Sequence, residues 1–173
     1  VQQVNGEFAE RFEGRNLDLI CILQPEPLLI RADSRRIWRV LENLYVNVCK
    51  YAMPGTRVYV DAIKKDGKIQ FSIKNISENP LNFQADELTE RFIRGDSSRT
   101  TEGSGLGLSI AKSLTVLMGG VFDIKVDGDL FKASITFPQY ADENSSNPKM
   151  EEPASEDDYE IEELEPEERT EKE

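Results

Sequence analysis

Two stretches that alternate apolar and polar residues, Arg57–Ile63 and Ile69–Lys74, meet around Asp66-Gly67, and this feature most restricts the fold. An Asp-Gly pair supplies positive φ at a two-residue turn whose twist matches the flanking strands, so the segment predicts an antiparallel hairpin. The pattern returns later, where Phe122–Val126 and Leu130–Phe137 flank Asp127-Gly128. A third alternating run, LDLICIL at residues 17–23, reads as a further strand before Pro25 and Pro27 break regular structure. A sheet built this way needs a second layer to cover its apolar face.

Amphipathic helices supply that layer. From Ser34 to Ala52, Ile37, Val40, Leu41, Leu44 and Val48 recur at helical spacing behind Asp33, a good N-cap. Met53-Pro54-Gly55 ends the run. A second helix is expected from Leu106 to Met118, stopped at Gly119-Gly120. Residues 1–15 read as the end of a helix, with Val4, Phe8, Ala9 and Phe12 in register and Gly14 as its stop. Between the layers' elements, residues 76–102 form a long connection with one short helix near Asp86–Phe92. Connections of that length are commonly lids or binding loops. The order of elements predicts an α+β fold: a two-layer sandwich with helices on one face of a mixed sheet.

The net charge of −12 belongs to one end of the chain. Residues 139–173 carry 15 of the 33 acidic residues and 3 of the 21 basic ones, which leaves the rest neutral. No basic patch of the kind a nucleic-acid binder needs is present. The acidic segment is expected to be disordered, because its few apolar residues cannot offset the entropy of ordering it. Tyr159, Ile161 and Leu164 could make a small partner-binding stripe within it, but a solubilising tail is the preferred reading. Cys21 and Cys49 fit no metal-ligand spacing and read as reduced packing cysteines of a cytosolic protein. No apolar run approaches the roughly 18 residues of a membrane span. The chain starts at Val1 without a methionine, so a piece of a larger protein is expected.

Two constellations carry candidate chemistry. On the first long helix, Asn43, Asn47 and Lys50 fall within roughly 60° of one another, with Tyr51 at the edge of the group. Carboxamide oxygens suit a hard cation such as Mg²⁺, and a lysine one turn away can meet a phosphate. The bland alternative is a solvated polar face. The second constellation, Gly103-Ser104-Gly105-Leu106-Gly107-Leu108, opens the second helix. Glycines let backbone approach a phosphate, and the helix N-terminus presents free N–H groups. Arg91, Arg94 and Arg99 flank the glycines and could reach anionic oxygens, and Phe92 could wedge beneath the loop.

In combination these segments resemble the sensor histidine kinases. Asn43–Tyr51 is similar to their N box, Glu90–Asp96 to their F box and Gly103–Leu108 to their G2 box. The resemblance spans residues 17–138 and implies the Bergerat-type sandwich of the GHKL ATPases. It also implies Asn47 as a Mg²⁺ ligand, Lys50 on phosphate, Tyr51 against the nucleotide, and Phe92, Arg94 and Arg99 in the ATP lid. Gly103, Ser104, Gly105, Leu106, Gly107 and Leu108 would bind the nucleotide phosphates.

The chain departs from the family at the G1 box. In place of Asp-x-Gly-x-Gly it reads Asn75-Ile76-Ser77-Glu78-Asn79. Asn75 keeps an acceptor oxygen where the family's aspartate receives the adenine amino group, and without the glycines the loop must follow another path. Asn43 occupies the place of the glutamate that activates water in the hydrolysing relatives. An amide cannot take that proton, which favours phosphoryl transfer over hydrolysis.

The resemblance thus implies a protein histidine kinase domain that binds Mg·ATP and phosphorylates a histidine on a separate dimerisation domain of the same protein. Its parent would be a membrane-bound homodimer with a cytoplasmic catalytic domain and a response regulator as partner. Residues 1–16 would be the end of a dimerisation helix or a linker, residues 17–138 the ATP-binding domain and residues 139–173 the acidic tail. The rival is a degenerate nucleotide-sensing or docking module without kinase activity. A serine kinase of the anti-sigma type is a third reading.

Overall fold

Asp66 and Gly67 take φ of 50° and 69° and close a two-residue turn between β2 (Arg57–Lys65) and β3 (Lys68–Ile76). These features come from a computed structural model, in which residues 1–81 and 106–140 are described. The second hairpin joins β4 (Val121–Asp127) to β5 (Leu130–Pro138), with Gly128 at φ 57°. With β1 (Asp18–Leu23) these strands form one sheet in the order β1-β2-β3-β5-β4. β1 pairs parallel with β2 and every other pair is antiparallel, so the sheet is mixed as expected. Each strand of the two hairpins extends somewhat beyond its predicted limits.

Three helices are described: α1 (Gln2–Gly14), α2 (Ser34–Tyr51) and α3 (Gly107–Leu117). Asp33 caps α2 as predicted, its Oδ1 accepting the Arg36 N–H at 2.9 Å. That hydrogen bond is the main cause holding the Asp33 carboxyl below its ordinary pKa. The predicted stripe turns inward, with Val40, Leu41, Leu44 and Val48 buried and Ile37 half-buried. Tyr45 and Cys49 widen that face. They meet Val58 and Val60 of β2, Phe71 and Ile73 of β3, and Phe131, Ala133 and Ile135 of β5 in one core. α3 contributes Leu108 and Ala111 to the same cluster. The opposite sheet face carries polar side chains such as Arg57, Lys74 and Lys132, and this is the two-layer α+β sandwich that the order of elements implied.

α1 joins that core as well. Val4, Phe8 and Phe12 are buried, and the Phe12 ring stacks on Tyr45 with centroids 5.7 Å apart. The packing therefore does not break at residue 16. Burial pushes the Tyr45 phenol pKa well above its ordinary value, with a smaller contribution from the neighbouring Cys21. The phenol donates to Asn5 Oδ1, while Asn5 Nδ2 reaches Cys21 Sγ at 3.2 Å. Cys49 is buried, but Cys21 is exposed, against expectation. Its strand lies at the sheet edge, where one of its sides has no neighbouring strand to shield it. The short helix expected near Asp86–Phe92 and the acidic tail beyond Tyr140 fall outside the described residues, while Gln139 and Tyr140, counted with that tail, bond Gly67 and Leu29 of the body.

One glycine is fixed by space alone. A Cβ on Gly120 would lie 2.5 Å from Phe137 Cε1 and 2.9 Å from Thr115 Cγ2. Phe137 and Thr115 are buried, so neither can swing into solvent. Gly120→Ala is expected to destabilise the body by about 1–3 kcal/mol. A thermal melt should then show the midpoint lowered by roughly 4–12 °C. An unchanged midpoint would mean that the Phe137 ring has room to move.

Candidate functional site

The N-terminal end of α3 lies directly against the polar stripe of α2. A Cβ at Gly107 would come within 3.1 Å of Asn43 Oδ1, so glycine permits this approach. Asn43 Nδ2 donates to the Arg39 carbonyl at 2.6 Å, which turns its oxygen toward Gly107. Asn43 thus joins the two helices and offers no group able to accept a proton from water. Asn47 lies one turn further along α2 and is half-buried, while Lys50 and Tyr51 at its C-terminal end are exposed. Leu106 occupies the N-cap of α3, and among the described residues no side chain caps that helix. Its first-turn N–H groups lie at the positive end of the helix dipole. Leu108 is buried in the core, so any contact it makes with a phosphate is through its backbone. Phe92, Arg94, Arg99, Gly103, Ser104 and Gly105 fall outside the described residues.

The altered segment after β3 takes a specific path. Met53 N–H bonds the Ile76 carbonyl at 2.9 Å, Ala52 bridges Ser77, and Glu78 N–H bonds the Tyr51 carbonyl at 2.8 Å. Ser77 N–H also bonds the Asp129 carbonyl in the second hairpin. In place of a glycine turn, the chain continues as extended backbone sewn to the end of α2. That stitching brings Tyr51 and Asn75 to one end of the sandwich.

Asn75 follows Ile69, Phe71 and Ile73 on the inward face of β3 and is 2% exposed. Its Nδ2 donates to the Ile76 carbonyl at 3.0 Å. This fixes the amide orientation, because the flipped form would set two oxygens against each other. Oδ1 is left buried with no hydrogen-bond partner among the described residues. A buried acceptor left without a donor costs about 1–3 kcal/mol, so a donor that reaches Oδ1, from water or from a ligand, would be favoured there.

Arg15 is a further residue at this end of the fold that the sequence did not single out. Its Nη2 donates to the Ala52 carbonyl at 3.0 Å and meets Glu78 Oε2 at 2.9 Å. No local periodicity marks it, since its partners lie 37 and 63 residues away in the chain. A separate groove of about 540 Å³ opens beside α1, lined by Phe12, Glu13, Asn16, Leu17, Gly55 and Arg57 among others. It contains none of the candidate site residues. Among the described residues no group of three or more His, Cys, Asp or Glu could hold a metal ion.

Comparisons with known proteins agree with the mixed sheet and its helical layer. Residues 32–149 match the family described as histidine kinase-, DNA gyrase B-, and HSP90-like ATPase. The sensor protein VanSC of Enterococcus gallinarum is 29% identical over 143 residues, covering 82% of this chain and 39% of that protein. The signal transduction histidine-protein kinase BaeS of Escherichia coli is 29% identical over 122 residues, covering 69% of this chain and 26% of that protein. The chain thus spans well under half the length of either relative. Among solved structures, the catalytic domain of histidine kinase ThkA superposes with a TM-score of 0.68 at 24% identity, covering 80% of this chain and 89% of that one.

Proposed function

Because the chain belongs to the histidine kinase-, DNA gyrase B-, and HSP90-like ATPase family, we propose that it holds Mg·ATP and presents the γ-phosphate to a histidine on a separate dimerisation domain. The observation that carries this reading is the orphaned Asn75 Oδ1, buried beside the end of α2. It would accept the adenine amino group as a neutral counterpart of the family's aspartate, with Tyr51 against the nucleotide.

At the phosphate end, Asn47 would offer its carbonyl oxygen to Mg²⁺ and Lys50 would meet a phosphate oxygen. The metal, when bound, neutralises charge on the phosphates. The first-turn N–H groups of α3, preceded by Gly103, Ser104 and Gly105, suit phosphate oxygens. Arg94 and Arg99 are expected to add positive charge from the lid. Asn43 supports transfer over hydrolysis, because its amide is committed to Arg39 and cannot activate water. Catalysis would rest on positioning and charge neutralisation.

The acceptor must come from elsewhere, since this chain has no histidine. Residues 1–16 would lead from the dimerisation domain, with α1 seated on the body. The parent protein would be a membrane-anchored homodimer with its catalytic domain in the cytoplasm and a response regulator downstream. Mixing the chain with a histidine-bearing dimerisation domain and γ-labelled ATP should yield acid-labile phosphoprotein. Acid-stable label would point instead to a serine kinase. Tight binding of a non-hydrolysable ATP analogue with no transfer under saturating Mg·ATP would favour the sensing or docking module, which the loss of the G1 glycines motivates.

A further inference from the structure

Three segments distant in sequence converge on one guanidinium. Arg15 follows the last residue of α1, and its Nη2 reaches both the C-cap carbonyl of α2 at Ala52 and the carboxylate of Glu78. Glu78 stands three residues beyond Asn75, and its own N–H is held by the Tyr51 carbonyl. The neighbouring Asn16 takes φ 53°, and its carbonyl accepts the Gly55 N–H at 2.8 Å, so the backbone beside Arg15 is pinned as well.

We propose that Arg15 is a positioning residue for the base end of the nucleotide site. By clamping Glu78 against the end of α2 it sets the spacing between Asn75 and Tyr51. This rests on the reading of Asn75 as the adenine acceptor. The segment carries Ser77 and Asn79 where the family has glycines, so no glycine turn defines its course. One guanidinium nitrogen, Nη2, bonding both a carbonyl and a carboxylate adds direction there, because the planar guanidinium fixes where its two N–H groups point. The ion pair is partly exposed, at 35% and 46%, and such pairs add little to global stability. Its effect is therefore local.

The test is calorimetry on Arg15→Ala, Arg15→Lys and Glu78→Ala, with a non-hydrolysable ATP analogue and, separately, inorganic tripolyphosphate. Arg15→Ala and Glu78→Ala should each weaken binding of the ATP analogue about 10-fold, as expected for a small misplacement of a contact group. Binding of tripolyphosphate and the thermal midpoint should hold, and Arg15→Lys should recover part of the loss. Equal losses for both ligands would overturn the proposal, because the effect would then not be confined to the base end. Unchanged analogue binding in both Arg15→Ala and Glu78→Ala would overturn it too, and if Asn75→Leu had lost binding the adenine reading would still stand. Should Arg15→Ala fail to fold, Glu78→Ala and Arg15→Lys decide the matter. If Asn75→Leu binds the analogue like the wild type, the adenine reading itself falls.

Discussion

Asn75→Leu is expected to weaken binding of a non-hydrolysable ATP analogue by about 5- to 150-fold while leaving the ligand-free protein as stable as before or more so. The two halves of this result have one cause. With no nucleotide, Asn75 Oδ1 is a buried acceptor that has no partner among the described residues. Leucine has similar volume and removes that unsatisfied group. The hydrogen bond from Nδ2 to Ile76 is also lost, but the Ile76 carbonyl keeps the Met53 N–H at 2.9 Å. With nucleotide bound, the same substitution leaves the adenine amino group facing an apolar side chain, which costs about 1–3 kcal/mol. Calorimetry and a thermal melt on one preparation read both effects. A marked fall in the melting midpoint would show that Oδ1 has a partner in the free protein, and retained affinity would place the adenine acceptor elsewhere.

The same geometry explains why an amide stands here. A carboxylate at position 75 would set an oxygen against the Ile76 carbonyl that Nδ2 now bonds. The neutral residue and the extended path of Ile76–Glu78 therefore belong together, and restoring the family's aspartate alone would introduce a repulsion.

Phe12→Ala should cost about 3–5 kcal/mol, a large fraction of the roughly 5–15 kcal/mol that holds a typical domain together. Phe12 is 2% exposed and stacks on Tyr45, which is itself fully buried and touches Phe8 with ring centroids 5.2 Å apart. Removing the ring leaves a cavity between α1 and α2 that the stiff aromatic neighbours cannot close. Urea unfolding should show a lower midpoint with little change in slope. Phe12→Leu should recover much of the loss. A cost near zero for Phe12→Ala would mean that α1 detaches freely and that the body holds its own core without it.

Much of the architecture was legible in the residues. Asp66-Gly67 specified a turn, alternation specified the strands, and Asp33 with the stripe from Ile37 to Val48 specified α2. These are properties of neighbours in the chain, read through turn chemistry and periodicity. The motifs also fixed the family, since Asn43–Tyr51 and Gly103–Leu108 occur in order. Asn75 lay one residue beyond the expected strand, and the extension of β3 to Ile76 is what sets it on the inward face, behind Ile69, Phe71 and Ile73.

Only the tertiary structure could decide whether that inward amide finds a partner, because the answer depends on every atom packed around it. The same holds for Gly107 against Asn43, for Tyr45 between the rings of α1, and for Arg15 joining Ala52 to Glu78. Each contact unites residues from separate elements, and local sequence patterns do not encode how elements meet. The sequence determined the elements and the family. The packing determined that one end of the sandwich holds an acceptor unanswered among the described residues, with a guanidinium clamp on the segment that follows it.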